Sequence, residues 1–236
     1  NENYYLLTLA AIAKAVKKSG RGIKPKTVNI VAGVPLTRFG VEKKPFRNYL
    51  KQRDRVSFEY EGEVYTFNIG KVRIYSQCYA AIVNRLDGIN RLTAVDCGSW
   101  TLDIMAVKEK VPMPDECRTY EYGLISTFAE IQKTCASKFN KEIDEYYINE
   151  VIQTGKTSLP KEFVEVINDG LRNYAKGVEA KLRELKIDVD YGNIVYVGGG
   201  ALVMRRFGDN QNDRIRYVTD VCANAIGYDF LAKNLL

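Results

Sequence analysis

The segment that best indicates the architecture of this chain reads Leu92-Thr93-Ala94-Val95-Asp96-Cys97-Gly98-Ser99-Trp100-Thr101-Leu102-Asp103-Ile104. A run of β-branched and apolar residues ends in an acid, turns through a glycine, and resumes as a second alternating run. This pattern predicts a β-hairpin with a carboxylate and hydroxyls at its tip. Amides and hydroxyls at such a tip bind an anion, while the acid holds a cation or a water. Acids and glycines are also ordinary turn residues, so the segment alone fits a plain surface hairpin equally well.

A second segment, about a hundred residues later, reads Tyr191-Gly192-Asn193-Ile194-Val195-Tyr196-Val197-Gly198-Gly199-Gly200-Ala201. It predicts a buried strand that runs into three glycines, after which Leu202-Val203-Met204 opens a helix. Glycines at such a turn allow a flat ligand or a phosphate to approach the backbone. The segment matches neither a Walker A loop nor the dinucleotide fingerprint, because neither Gly-Lys-Ser/Thr nor a third spaced glycine follows. A flexible turn is the alternative interpretation.

Composition limits the classes of protein to which this chain can belong. The 236 residues, 46% hydrophobic and 27% charged, describe a soluble globular protein with one large or two small domains. The absence of histidine excludes Ser-His-Asp and Cys-His catalysis and histidine-based zinc sites. Five scattered cysteines indicate reduced thiols in the cytoplasm rather than a disulfide framework. A net charge of +6 permits weak attraction to polyanions but does not demonstrate it.

Hydrophobic periodicity predicts an α/β chain in which strands alternate with long helices. The predicted helices span about 3–19, 44–53, 77–86, 124–138, 142–153, 160–186 and 219–235, with a short helix after the glycines. The predicted strands span 27–34, 55–61, 63–69, 71–75, the hairpin 92–107, an extended run near 111–121, and 193–197. The apolar run at 4–13 is too short to cross a bilayer, and its positive charges follow it, so we interpret it as a buried amphipathic helix rather than a signal peptide.

In this order and spacing, the two segments resemble the second phosphate loop and the adenosine loop of the actin-type ATPase superfamily. The resemblance is closest to the bacterial plasmid-segregation actins of the ParM/StbA family, and it covers nearly the whole chain. Further segments are similar to that family's proline-containing strand loop, its hairpin insertion and its closing helix, namely Val28–Thr37, Phe46–Gln77 and Ala223–Tyr228. The resemblance implies a two-domain fold of ribonuclease H-like sheets flanked by helices. Residues 1–91 and the helix 217–236 would form the first domain, and residues 92–216 the second.

The resemblance also implies a site for ATP or ADP with Mg²⁺. Asp96 would act on the hydrated Mg²⁺ or the attacking water, and Gln77 would orient that water. The β- and γ-phosphates would contact Gly98, Ser99, Trp100 and Thr101, with Gly123 as a further backbone contact. The adenosine would be lined by Gly198, Gly199, Gly200 and Ala201. Trp100 departs from the small residue that is common at this position in the family. Asp103 fits a role in stabilising the hairpin as well as a role in binding the nucleotide. For the ribose or adenine, the open alternatives are Tyr146, Asn149 and Glu150.

The function implied by the resemblance is an ATPase that polymerises into dynamic cytoplasmic filaments and segregates plasmid DNA through a DNA-binding adaptor protein, without a membrane partner. The family's first phosphate loop, Asp-x-Gly-x-x-x-Thr, has no match before residue 28, so we expect a chain that is incomplete at its N-terminus. Two alternatives stay open: a non-polymerising ATPase or kinase of the same fold, since fold does not determine function, and a catalytically silent assembly fragment. The choice of ATP over GTP also rests on the resemblance.

Overall fold

The computed structural model describes residues 2–19, 25–210 and 212–235. Residue contacts divide the chain into two compact units, one formed by Asn1–Gln77 with Tyr228–Leu236 and the other by Cys78–Gly227. The division falls earlier than the predicted boundary at 91/92. The hydroxyl of Tyr79 donates a hydrogen bond to the carbonyl of Lys110 at 2.9 Å, so the segment after Gln77 packs with the second unit.

Among the described residues, the first unit contains a three-stranded sheet, two complete helices and the larger part of the C-terminal helix. Its elements are α1 (Glu2–Lys18), β1 (Thr27–Val34), α2 (Phe39–Leu50), β2 (Arg55–Tyr60) and β3 (Glu63–Ser76). The strand order is β1-β3-β2, with β1 parallel and β2 antiparallel to β3. Glu61 and Gly62 both have positive φ, at 52° and 79°, which is the geometry of a tight two-residue hairpin turn.

Two predictions for the first unit need correction. The strands predicted at 63–69 and 71–75 are one continuous β3, because its first half pairs with β2 and its second half pairs with β1 across Gly70. The helix predicted at 44–53 spans Phe39–Leu50, with Pro45 inside it. Proline is common in the first turn of a helix, which is why the sequence suggested a start near Pro45. In the structure a 3₁₀ turn precedes the helix, so α2 begins earlier, and the missing N–H of Pro45 leaves one intrahelical hydrogen bond unmade.

The core of the first unit lies between the sheet and the helices. Alternate residues of β3 are buried, and they pack with Leu9 and Ala13 of α1 and with Leu50 of α2. The ring of Tyr228 lies against Gly33, where no side chain would fit. Burial of one face explains the period-two pattern of the strand, and the pattern shifts by one residue between Ile69 and Val72, where the pairing with β1 changes register.

The second unit contains a six-stranded sheet and five further helices before the C-terminal helix. Its elements are α3 (Gln77–Ile82), which begins on the last residue of the first unit, β4 (Arg91–Cys97), β5 (Leu102–Lys108), β6 (Val111–Pro112), β7 (Arg118–Tyr120), α4 (Leu124–Phe139), α5 (Glu145–Thr154), α6 (Lys161–Glu184), β8 (Ile194–Val197), α7 (Ala201–Phe207) and β9 (Ile215–Val218). The strand order is β6-β5-β4-β8-β9, and β7 also pairs with β5. Strands β4, β8 and β9 are parallel, whereas β4 and β5 form an antiparallel hairpin.

The second unit also differs from the prediction at three places. Strand β9 was not predicted, because its four residues are too few for a periodic signal and pairing with β8 defines it. The extended run near 111–121 divides into β6, a 3₁₀ turn and β7. The C-terminal helix α8 spans Ala223–Leu235 rather than 219–235, and the side chain of Asp220 accepts the amide of Cys222 just before it.

Helix α6 covers the sheet of the second unit with one apolar stripe. Apolar residues that recur every three or four positions along this helix are buried there, from Phe163 through Leu171 and Tyr174 to Leu182. They pack with α4, α5 and the buried strands β4 and β8 in one core. No helix in the described part of the chain is long and apolar enough to cross a membrane.

Candidate functional site

The two predicted loop segments meet at one edge of the sheet in the second unit. Strands β4 and β8 are parallel neighbours, with Asp96 beside Val197 at their carboxyl ends. The hairpin tip at 98–101 and the glycine turn at 198–200 therefore follow the same edge, where α/β sheets commonly bind ligands. The amide of Gly200 donates a hydrogen bond to the carbonyl of Cys97 at 2.9 Å, which joins the two loops directly.

The glycines of the turn have different roles. Gly198 has a φ of +80°, and a Cβ placed on it would lie 2.5 Å from Oδ1 of Asp96 and 3.0 Å from the carbonyl oxygen of Cys97. A Cβ on Gly200 would lie 2.5 Å from the Cβ of Cys97. Gly199 is exposed and has open space around it. The first and third glycines thus permit close packing of the loops, and the middle one faces solvent.

The start of α4 supports the hairpin tip. The amide of Gly98 donates to the carbonyl of Thr101 and closes the hairpin, while the amides of Leu124 and Ile125 donate to the carbonyls of Gly98 and Ser99 at 3.1 and 3.0 Å. Ser99 and Trp100 lie so close to Gly123 that any side chain at that position would collide with them. The structure therefore places Gly123 as a packing residue beneath the loop.

The hairpin tip offers several amides to a ligand. Among the described residues, none accepts a hydrogen bond from the backbone N–H of Ser99, Trp100 or Thr101. Consecutive free amides form a concave site for an anion. The side chain of Trp100 is 72% exposed, so the indole does not fill this space.

Asp96 places a carboxylate at this edge of the sheet. It is half-buried, and in the parts of the chain that the structure describes no group donates a hydrogen bond to it. Burial, together with the carboxylate of Asp103 directly opposite on β5, raises the pKa of Asp96 to about 6. The carboxylate is therefore mainly ionised at neutral pH but holds its proton more strongly than an exposed acid does.

Asp103 is held by two hydroxyls. Thr119 of β7 donates to its Oδ1, and Thr101 donates to its Oδ2 at 3.3 Å. Burial raises the pKa of Asp103, and these two hydrogen bonds oppose the shift. Because the hydroxyl of Thr101 is directed to Asp103, the backbone amide is the group at Thr101 that is left for a ligand.

The donor set fits Mg²⁺ held mainly by water and phosphate. Within residues 2–19, 25–210 and 212–235, no cluster of three acidic, cysteine or histidine side chains could chelate a metal alone. Mg²⁺ usually keeps several waters and binds through one or two carboxylates with substrate phosphates. One unpaired carboxylate beside free amides meets that requirement.

The remaining predicted residues lie in different places. Gln77 is exposed, and it belongs to the first unit, at the start of α3. Ala201 is fully buried in the core, so only its three preceding glycines belong to the edge. On α5, Tyr146 is exposed, Asn149 donates to the carbonyl of Glu145, and Oε2 of Glu150 is buried without a hydrogen-bond partner among the described residues.

Tyr174 of α6 is a residue near the site that the sequence pattern counted only as core. It is 2% exposed, and its hydroxyl lies 3.4 Å from the position of a Cβ on Gly200. Its ring stacks on Tyr122 with centroids 5.3 Å apart. The sequence did offer one signal that this position reaches a polar region, namely a tyrosine with its hydroxyl in an otherwise apolar stripe.

Comparison with known proteins agrees with this architecture. Residues 1–79 match the family described as actin like proteins, N-terminal domain, and residues 94–207 match the family described as archaeal actin homologue MreB-like, C-terminal. None of the curated protein sequences matches this chain significantly.

Solved structures resemble the chain over most of its length. The archaeal actin homologue Ta0583, in a complex with ADP, has a TM-score of 0.66 at 21% identity, over 94% of this chain and 76% of that chain. Apo ParM of pSK41 has a TM-score of 0.74 at 17% identity, over 100% and 71%. An Alp12 filament structure has a TM-score of 0.74 at 13% identity, over 99% and 75%. At these identities the likeness establishes the fold, and the predicted actin-like α/β class is confirmed.

Proposed function

We propose that this actin-like chain binds ATP with Mg²⁺, hydrolyses it, and polymerises into filaments whose lifetime depends on the bound nucleotide. The observation that carries the proposal is the packing of Gly198–Gly200 against the Asp96–Thr101 hairpin. This packing leaves one carboxylate and three neighbouring amides without partners among the described residues. The ADP bound to Ta0583 supports an adenine nucleotide as the ligand.

Most of the predicted residues have a defined task in this proposal. The amides of residues 99–101 bind the β- and γ-phosphates, Gly98 closes the hairpin that presents them, and the turn 198–200 lies along the adenosine. Asp96 holds the hydrated Mg²⁺, which when bound supplies positive charge to the phosphates. Gln77 orients the attacking water, and since an amide is a poor base the hydrolysis would be slow.

Slow hydrolysis would determine how long a filament persists before it disassembles. A bound γ-phosphate favours one arrangement of the protein, and its loss releases that arrangement, which couples assembly to the nucleotide state. The filament of Alp12, which shares this fold, supports self-association. From the resemblance to plasmid-segregation actins, we further propose that the filament moves plasmid DNA in the cytoplasm through a DNA-binding adaptor.

Right-angle light scattering with pelleting, run alongside a phosphate-release assay, tests the proposal. After addition of Mg-ATP, scattering should rise and then decay as phosphate is released. Asp96→Asn should lower the rate of phosphate release by about a hundredfold, the scale of loss expected when a positioned catalytic group is removed. Asp115→Asn, at an exposed acid on the 3₁₀ turn, is the matched control and should behave as the wild type does.

The other outcomes separate the alternatives. Phosphate release with a flat scattering trace would refute the filament and favour a non-polymerising ATPase or kinase of the same fold. The absence of both nucleotide binding and hydrolysis would refute the ATPase proposal and favour an assembly domain.

A further inference from the structure

The charge of this protein is strongly segregated along the chain. Residues 1–77 contain fifteen Lys and Arg against six Asp and Glu, a net charge of +9. Residues 78–236 contain twenty against twenty-three, a net charge of −3. An asymmetry of this size points to a polyanionic partner for the basic part rather than to a feature of the fold.

Part of this positive charge lines a groove between α2 and β3. Two adjoining concavities, of about 340 and 530 Å³, share Arg47, Val72 and Arg73. We call them together the basic groove. Its five cations are Lys43, Arg47, Lys51, Lys71 and Arg73.

The basic groove has no negative charge of its own. Among the described residues that line it, none is acidic. The nearby acid Glu42 pairs with Arg38 at 2.5 Å, and Asp54 is 3.9 Å from Lys51 at the rim with a side chain that is 92% exposed. Arg47 and Arg73 are exposed, and neither forms an ion pair with any described residue. Their charges are therefore available to a ligand.

The cations form two rows with matching spacing. Lys43, Arg47 and Lys51 follow one another at intervals of four residues along α2 and its C-cap, about 6 Å apart. Lys71 and Arg73 are two residues apart in β3, so they lie on the same face of the strand, about 6.6 Å from one another. On each strand DNA carries one phosphate for about every 3.4 Å of helix axis, so cations spaced by about 6 to 7 Å are close enough together to contact several phosphates of one strand.

We propose that the basic groove binds the phosphate backbone of a nucleic acid strand, independently of base sequence. A groove between a helix and a strand admits the backbone of one strand of a duplex, whereas a flat anionic membrane cannot enter it. Arg47 and Arg73 lie at the centre, where the two concavities join. The contact would be direct, without an adaptor, and it does not depend on the nucleotide site of the second unit.

Fluorescence anisotropy with a labelled 20-base-pair duplex, in the absence of ATP, tests the proposal through its salt dependence. Five phosphate contacts predict that log K falls with log salt at a slope of about −4.5, so a fourfold rise in KCl weakens binding about 500-fold. In Arg47→Gln/Arg73→Gln, three contacts remain, and the slope should be about −2.7, a weakening of about 40-fold. Circular dichroism and urea denaturation verify that the variant is folded.

The matched control removes the same number of positive charges, two, from a position outside the groove. Lys14→Gln/Lys18→Gln alters two exposed lysines of α1 and should keep the wild-type slope. An equal decrease of the salt-dependence slope in both double variants would overturn the proposal, because binding would then depend on the net charge of the protein and not on the groove. Binding of poly-glutamate or of phosphatidylserine vesicles, without binding of the duplex, would also overturn it and would assign the groove to an acidic polypeptide or to a membrane.

Discussion

The glycine turn allows the geometry of the candidate site to be tested at a single atom. In Gly198→Ala, the new Cβ would lie 2.5 Å from Oδ1 of Asp96, and an ordinary contact begins at 3.4 Å. The carboxylate must therefore retreat by about 0.9 Å. The residue must also keep a φ of +80°, which costs an L-residue about 1–2 kcal/mol.

Two measurements follow from these magnitudes. Urea denaturation should show Gly198→Ala less stable than the wild type by about 1–2 kcal/mol or slightly more. Phosphate release with saturating Mg-ATP should fall about a hundredfold, because a displacement near 1 Å of a positioned group has that effect.

Gly199→Ala is the matched control, one residue away in the same turn. Its Cβ would meet nothing within 4 Å, so its stability should stay within about 0.5 kcal/mol of the wild type. Combining Gly198→Ala with Asp96→Ala should recover part of the lost stability, since the collision partner is gone. Equal effects of the two glycine variants, or strictly additive losses in the double variant, would refute the reasoning.

Three further predictions concern the second unit. Because the pKa of Asp96 is raised to about 6, the folded state keeps a proton that the unfolded state releases between about pH 4 and 6, and wild-type stability falls as pH rises through that window. Asp96→Asn should therefore be more stable than the wild type at pH 7.5 by up to about 3 kcal/mol but not at pH 4, as measured by urea denaturation at both values. Trp100 is the single tryptophan and lies at the hairpin tip, so Mg-ATP should change the intrinsic fluorescence, and a signal that persists in Trp100→Phe would contradict this. Glu179 is buried and accepts the amides of residues 209–210, so Glu179→Ala should lower the free energy of unfolding by about 2–4 kcal/mol, whereas Arg183→Gln, at its half-exposed partner 3.8 Å away, should change it by less than about 1 kcal/mol.

Local sequence determined the elements of this protein where periodicity is long or turn chemistry is strong. The stripe of α6 was readable because burial of one face imposes a period on the residues, whereas β4 and β5 were readable as two apolar runs on either side of a glycine turn. The glycines at 198–200 were readable as a turn with close backbone packing for a different reason, since only glycine permits such close approach.

Tertiary pairing decided what no local pattern contains. The four residues of β9 became a strand because β8 offers them an edge, and Gly70 did not end β3 because β1 pairs with β3 on both sides of that glycine. Only pairing of β4 with β8 placed Asp96 beside Gly198, and only the opposing strand β5 placed Asp103 where its charge adds to the burial that raises the pKa of Asp96. The sequence thus specified which groups are present, and the fold determined their distances, because an electrostatic or steric interaction depends on neighbours that are remote in the chain.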